Sequence, residues 1–430
     1  MKKPEDFDFA DRTVQSNPFE FLATLREQAP VYREPITGAY LITRADDLRE
    51  VAGKPEIFSN QIDPTVFRVC QGLSLAERDP EVAERLREKA WLVPHTLLFN
   101  DPPVHGRYRR LVTQALSPKA LTELEPFVQA QVNRYIRGLD TEAAVDFLPV
   151  FAEKLPLSII LHFLGGTEED LPKVNRWADQ FFSTLMAPAT RDEYLKSIDA
   201  VSEMLCFIAD RFKRVKENPD SSLLSSLIHA HENTTDAALS MEEILSIFQI
   251  LLVAGHDSTR QTLTNAVRIL ATRRDLFERL GSDRELIKPF IDEVVRLNPA
   301  ASVTTRYTLD DAQIGGVRIP KGSMVYMCWV SGNRDATRHS DPDHFVCPRD
   351  AADSTHLGFG FGIHYCVGVR LAKMQLTMTL EALLDRYSEI RLAVPEEALE
   401  YLPAINLRAL MSLPIVCKRR AIDPTTLNSE

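Results

Sequence analysis

Apolar residues recur at helical spacing along most of this chain. The stretches Pro18 to Pro30, Leu121 to Asp140, Leu148 to Phe163, Glu168 to Met186 and Tyr194 to Lys216 each carry an apolar stripe with polar residues between. That is the pattern of helices burying one face. Gly165-Gly166 and Ala187-Pro188-Ala189 read as turns between them. From Ser240 to Thr272 the period persists so long that, at about 1.5 Å per residue, it predicts a helix of roughly 50 Å. Period-two alternation is confined to Val31-Tyr32-Arg33, Ala39 to Thr43 and residues 314 to 332, with Pro35-Ile36-Thr37-Gly38 as a hairpin turn. Helical segments outnumber strands, so the expected fold is mainly α with a minor β region. Between Gln61 and Phe99 the periodicity breaks around a charged helical insert, Leu75 to Leu92. Irregular stretches of that length inside a compact domain usually serve function or are disordered.

A length of 430 residues would allow two or three domains. There is no Gly/Ser linker, low-complexity tract or internal repeat, and the prolines are scattered. The reading is therefore one large helical domain over 1–430. A net charge of −11 argues against a nucleic-acid partner, which needs a basic face. No stretch approaches the roughly 20 apolar residues of a membrane span. The start, Met1-Lys2-Lys3-Pro4-Glu5-Asp6, has neither a signal h-region nor an anchor. The expectation is a soluble, cytoplasmic protein with no membrane anchor. Cysteines at 70, 206, 328, 347, 366 and 417 show no paired spacing, which suits reduced thiols. A zinc site from Cys347, His356, His364 and Cys366 is disfavoured because the close pair of structural zinc modules is missing.

Four stretches carry chemistry. In Phe359-Gly360-Phe361-Gly362-Ile363-His364-Tyr365-Cys366-Val367-Gly368, glycines flank one cysteine just before a helical pattern. A helix start and free N–H groups favour a thiolate there, although a lone cysteine in such a turn is as often structural. Within the long helix, apolar Ile250-Leu251-Leu252-Val253 gives way to Ala254-Gly255-His256-Asp257-Ser258-Thr259. A glycine costs about 1 kcal/mol in a helix interior and a buried acid costs more unless satisfied. Small residues at that point leave room for a diatomic ligand and water. In Asn100-Asp101-Pro102-Pro103-Val104-His105-Gly106-Arg107-Tyr108-Arg109-Arg110, Asp101 can cap a helix opened by the prolines. His105 and Arg109 then share one face, suited to a buried carboxylate or equally to a solvated basic surface. Glu293 and Arg296 stand three apart, alone the commonest kind of surface ion pair.

Phe359, Gly360, Gly362, His364, Cys366 and Gly368, at fixed offsets, resemble the signature loop of the cytochrome P-450 family, the haem-thiolate monooxygenases. The resemblance spans nearly the whole chain and implies that family's helical fold. It implies haem b with Cys366 as proximal iron ligand, Phe359 against the thiolate, and His105, Arg109, Arg306 and His364 on the propionates. Ala254, Gly255 and Gly368 would also line the cofactor. Asp257 and Ser258 fit the acid and alcohol that relay protons to dioxygen. This chain departs from the pattern there, since the alcohol is usually threonine. Thr259 could supply the hydroxyl but sits about 100° round the helix. The Glu293–Arg296 pair would be buried and joined by Arg349. Candidate substrate contacts are Leu97, Leu98, Phe182, Ile250, Val253, Val303, Thr304 and Ile405, with Val66, Phe67, Phe181, Leu185 and Met186 as further apolar candidates. Arg107, Arg110, Arg370 and Lys373 could form a positive patch for an acidic ferredoxin. The implied reaction hydroxylates an apolar small molecule (terpenoid, steroid, fatty or aromatic) with O2 and electrons from a separate ferredoxin and reductase. A peroxide-dependent peroxygenase, which normally lacks the acid–alcohol pair, and a non-catalytic haem ligand sensor are the alternatives.

Overall fold

In the computed structural model, which describes residues 2–61, 79–89, 97–186, 190–229, 239–350 and 353–420 with the side chains of 86–89, 181–186 and 253 set aside, several helices begin at a side-chain cap that the sequence supplies. Helices α1 (Arg12–Ser16) and α2 (Phe19–Gln28) precede strands β1 (Val31–Arg33) and β2 (Tyr40–Ile42), then α3 (Ala45–Ala52), β3 (Phe58–Ser59) and α4 (Pro80–Lys89). Next come α5 (Val104–Ala115), α6 (Pro118–Ile136), β4 (Val145–Asp146), α7 (Lys154–Phe163), α8 (Leu171–Met186), α9 (Arg191–Glu217), α10 (Leu223–His229) and the long α11 (Met241–Thr272). The chain continues through α12 (Arg274–Ser282), α13 (Ile287–Leu297), β5 (Thr304–Thr308), β6 (Ala312–Ile314), β7 (Val317–Ile319) and β8 (Met324–Met327). It ends with α14 (Trp329–Gly332), α15 (Val369–Arg386), β9 (Tyr387–Leu392) and β10 (Pro414–Arg419).

Ser117 caps α6 by accepting from the Ala120 amide, with Pro118 in the first turn. Thr190 with Glu193 and Ser240 with Glu243 form capping boxes at the starts of α9 and α11. The α5 start differs from the sequence expectation. Pro103 occupies its cap position with no side-chain bond, because Asp101 turns away to accept from Ser59 Oγ and, at 2.9 Å, from the Asn60 amide. Asp101 thus ties β3 to α5 instead of capping the helix.

Helix α11 is buried on several faces, covering apolar Ile244, Leu245, Ile247, Phe248, Leu252, Leu263, Val267 and Leu270 as well as polar Ser246, Gln261, Thr264 and Asn265. Such a helix belongs in the middle of a core, and it packs against α7, α8, α9, α12, α13 and α15. The β region lies to one side: a five-stranded sheet of order β1-β2-β8-β5-β3, a three-stranded β4-β10-β9 and the hairpin β6-β7. The expected β1–β2 hairpin pairs Val31 with Ile42 and Arg33 with Tyr40. Alternation from 314 to 332 resolves into the end of β6, then β7 and β8, and stops at Met327. There Gly332 donates to the Cys328 carbonyl at 3.1 Å and Asn333 to that of Trp329 at 3.0 Å, folding the segment into α14. On the opposite side, Arg191 of α9 pairs with Asp79 and Glu81, and Arg85 reaches Asp199 at 2.6 Å, strapping α4 to α9. Among the described residues no helix is long and apolar enough to cross a membrane.

Candidate active site

The cysteine loop closes on itself before α15. The Cys366 amide donates to the Phe359 carbonyl at 2.9 Å and Ala372 donates to that of Gly368, the helix cap position. Gly362 has φ of 73°, and a Cβ there would meet the Ala52 carbonyl oxygen at 2.5 Å, so only glycine fits against α3. Burial raises the Cys366 thiol, while the Gly368 amide and the Arg109 guanidinium pull the other way without prevailing. N–H groups at a helix start favour the thiolate, but here they do not outweigh burial. Desolvation of the anion is larger, and a cation at Sγ is what would hold the thiolate. Cys328 and Cys417, whose thiols lack such donors, are pushed up to about 12.

Beside this loop two imidazoles and two guanidiniums converge. The His105 and His364 rings lie 4.2 Å apart between centroids, and the Nε2 atom of each is buried with no hydrogen-bond partner among the described residues. Burial, His105, Arg306 and Arg109 hold His364 neutral, its value lowered to about 3. Burial and Arg109 likewise lower His105. Arg306, only 6 % exposed, is lowered to about 10 by burial and bonds the Thr305 carbonyl at 2.7 Å. Among the described residues neither Arg109 nor Arg306 has a carboxylate at ion-pair distance. Burying a cation without a close anion is costly, and these two guanidiniums with two imidazole nitrogens form a receptor for acidic substituents.

On α11, Ala254 is exposed although Leu252 and His256 on either side of it are buried, so it faces open volume within the fold. A Cβ added to Gly255 would meet Ile160 Cδ1 at an ordinary 3.6 Å, which turns that glycine toward α7. Ser258 Oγ donates to the Ala254 carbonyl at 2.5 Å. Asp257, 2 % exposed, accepts at Oδ1 from Arg260 Nη2 at 2.7 Å and Nε at 3.1 Å. Arg260 Nη1 donates to Glu153 Oε1 at 3.0 Å. Thr259 is buried at 4 %. Arg260 and Glu153 were not among the sequence candidates. The three-residue spacing of Asp257 and Arg260 was a usable signal for the first, whereas nothing local marks Glu153.

Glu293 is 3 % exposed and holds two arginines: Arg296 at 2.7 Å and 2.9 Å, and Arg349 Nε at 2.8 Å. Arg296 also donates to the carbonyls of Asn333, Pro342 and His344. Of the proposed positive patch, Arg107 is engaged by Glu243 at the start of α11 and so belongs elsewhere. Lys373 is paired with Asp292 at 2.6 Å and lies 5.7 Å from the Phe359 ring. Arg110 and Arg370 are exposed. Among the described residues no cluster of three or more His, Cys, Asp or Glu side chains could hold a metal ion.

The substrate-contact candidates scatter. Leu97 and Val303 pack into hydrophobic clusters, Leu98 is 40 % exposed, and Thr304 Oγ1 accepts from the Trp329 indole at 2.8 Å. Ile250 is half-buried, and half-buried Ile405 packs near Val303 in a loop whose Asn406 carbonyl accepts from Ser302. Val66, Phe67 and the side chains of Phe181, Phe182, Leu185, Met186 and Val253 lie outside the described residues.

The cytochrome P450 family profile matches residues 65–396. The chain belongs to the cytochrome P450 family. The mycinamicin IV hydroxylase/epoxidase of Micromonospora griseorubida is 32 % identical over 91 % of this P450 and 94 % of its own length. The vitamin D(3) 25-hydroxylase of Pseudonocardia autotrophica is 30 % identical over 97 % and 98 %. The structure of cytochrome P450 CYP109Q5 from Chondromyces apiculatus superposes with a TM-score of 0.82, 26 % identity and coverage of 96 % and 98 %. This P450 is thus a haem-thiolate monooxygenase with the family's mainly helical fold. The residues present fit that group. A desolvated cysteine whose thiol is raised despite Arg109, with orphaned imidazole nitrogens and guanidiniums beside it, matches an iron porphyrin bearing carboxylates.

Proposed function

We propose that this P450 binds haem b through Cys366 and uses it to hydroxylate an apolar small molecule, with electrons from a separate ferredoxin-type donor. The carrying observation is the gathering of His105, His364, Arg109 and Arg306 beside Cys366, with no carboxylate at ion-pair distance among the described residues. His105 and His364 would donate from Nε2 to the carboxylates of the bound haem, and the two arginines would neutralise them. Phe359 and the Gly362 turn hold the sulfur rigidly. When bound, haem supplies the redox-active iron at which O2 is cleaved and one oxygen atom is transferred to the substrate. Ala254 bounds the space over that centre. Ser258 Oγ, held on the Ala254 carbonyl, passes a proton inward, and Asp257 replenishes it.

Relatives named for vitamin D(3) and mycinamicin IV support a bulky, largely apolar substrate. Ile250, Val303 and Ile405 are offered as its contacts, and buried apolar pockets with few polar groups suit such ligands. Exposed Arg110 and Arg370 are offered as donor-docking charges. Free thiols at Cys206, Cys328, Cys347, Cys366 and Cys417 accord with a reducing, cytoplasmic setting.

The test is spectroscopic. Reduced wild-type protein with carbon monoxide should show the red-shifted Soret band of a thiolate adduct, and Cys366→Ser should lose it. A Cys366→Ser protein that keeps that band would falsify the assignment. Titration with testosterone, linalool, palmitic acid and vitamin D(3) should give a Soret shift for at least one. Turnover with NADH, ferredoxin and reductase should exceed turnover with peroxide.

A further inference from the structure

The acid on α11 is not free to move. Asp257 Oδ1 receives two donors from Arg260, whereas Oδ2 is buried and has no hydrogen-bond partner among the described residues. A buried carboxylate oxygen without a partner is expensive, and such atoms concentrate at functional sites. Arg260 in turn is shared with Glu153, which stands at the α7 N-terminus, on a different element from α11. Exposure rises outward along this chain: the Asp257, Arg260 and Glu153 side chains are 3 %, 20 % and 23 % exposed. Burial and Arg260 keep neighbouring His256 neutral, its value lowered to about 3, so the imidazole adds no competing charge.

Resting on the monooxygenase reading, we propose that Arg260 and Glu153 are positioning residues for the proton-delivering acid. Arg260 fixes the rotamer of Asp257 by taking one oxygen, so that the other stays unpaired, to be bonded by the Ser258 hydroxyl or by a water that a local opening admits. Glu153 draws part of the Arg260 charge toward itself. Without Glu153, the whole guanidinium would bear on Asp257 and bind it more tightly. Without Arg260, the carboxylate would turn to find other donors and its aim would be lost. Neither residue touches the reacting atoms. Both act through one carboxylate, and a misaimed proton donor costs about ten- to a hundredfold in rate.

The experiment compares wild type, Arg260→Gln, Glu153→Gln and the conservative Glu153→Asp as haem-loaded proteins. All four should give the wild-type carbon monoxide spectrum. Loss of that spectrum in wild type itself would strike the haem reading, whereas the positioning proposal is judged on proteins that retain it. Each protein is turned over with NADH, ferredoxin and reductase in H2O and in D2O, and hydrogen peroxide released per NADH oxidised is measured. Arg260→Gln should release several-fold more peroxide and change the solvent isotope effect. Glu153→Gln should do so by about threefold, the scale of a partly exposed ion pair, and Glu153→Asp should restore most of the wild-type ratio. A crystal structure of Arg260→Gln should show the Asp257 carboxylate rotated. Wild-type peroxide ratios and isotope effects in both Gln variants, or an unmoved Asp257, overturn the proposal. Arg260→Gln is the more disruptive change, and the partly exposed Glu153 keeps the question decidable if that variant does not fold.

Discussion

A single methyl group separates Ser258 from the threonine usual at its position. Its hydroxyl still reaches the Ala254 carbonyl at 2.5 Å, but serine has no second substituent on Cβ to lock χ1 against the helix. A packed methyl is worth about 0.8 kcal/mol. That corresponds to a population factor of about four between rotamers. Ser258→Thr is therefore expected to lower peroxide released per NADH by up to about fourfold, read by peroxide assay beside oxygen uptake. Unchanged or worse coupling would remove the rotor argument. Single residues also show where reading the sequence stops. The spacing of His105 and Arg109 put both on one face, yet nothing local says that the His364 ring, more than two hundred positions later, lies tilted against that of His105.

Between elements, Glu293 joins α13 to the segment that carries Val346 and Arg349. Burial alone would raise its carboxyl, but Arg296, Arg349 and the Val346 amide together hold it below the ordinary value. With the folded value depressed, the stabilisation is complete above the unfolded carboxylate value of about 4.3 and is lost as pH falls through the folded one. Wild type should accordingly lose melting temperature steeply below about pH 4.3, and Glu293→Gln should be flatter there. At neutral pH that variant should be destabilised by about 3–5 kcal/mol, because two buried arginines lose their anion. Chemical denaturation at pH 7 and melting curves at pH 3.5 to 5 check both. The i, i+3 spacing of Glu293 and Arg296 was visible in the chain. Their burial was not, since a surface pair has the same spacing.

For the whole molecule, a net charge of −11 means that an acidic donor would need a locally basic docking area, proposed at Arg107, Arg110, Arg370 and Lys373. Arg107 is neutralised by Glu243 and Lys373 by Asp292, which leaves Arg110 and Arg370 as its exposed members. Arg110→Glu is expected to raise the KM for a ferredoxin donor by about threefold and to flatten its increase with salt, while substrate-induced Soret shifts stay unchanged. Stopped-flow reduction across an ionic-strength series measures this, and an unaltered salt dependence would show that the donor docks elsewhere.

The chain alone determined the helix-rich architecture, because apolar period, caps and turns are local properties written in neighbouring residues. It also determined the cysteine loop, whose glycines and sulfur are contiguous. Tertiary structure decided which charges meet. It drew Asp101 away from its helix toward Ser59 and Asn60, placed Glu153 beside Arg260, and moved Arg107 onto Glu243. Those choices depend on desolvation and on which distant partner lies within about 3 Å, and no local pattern encodes either.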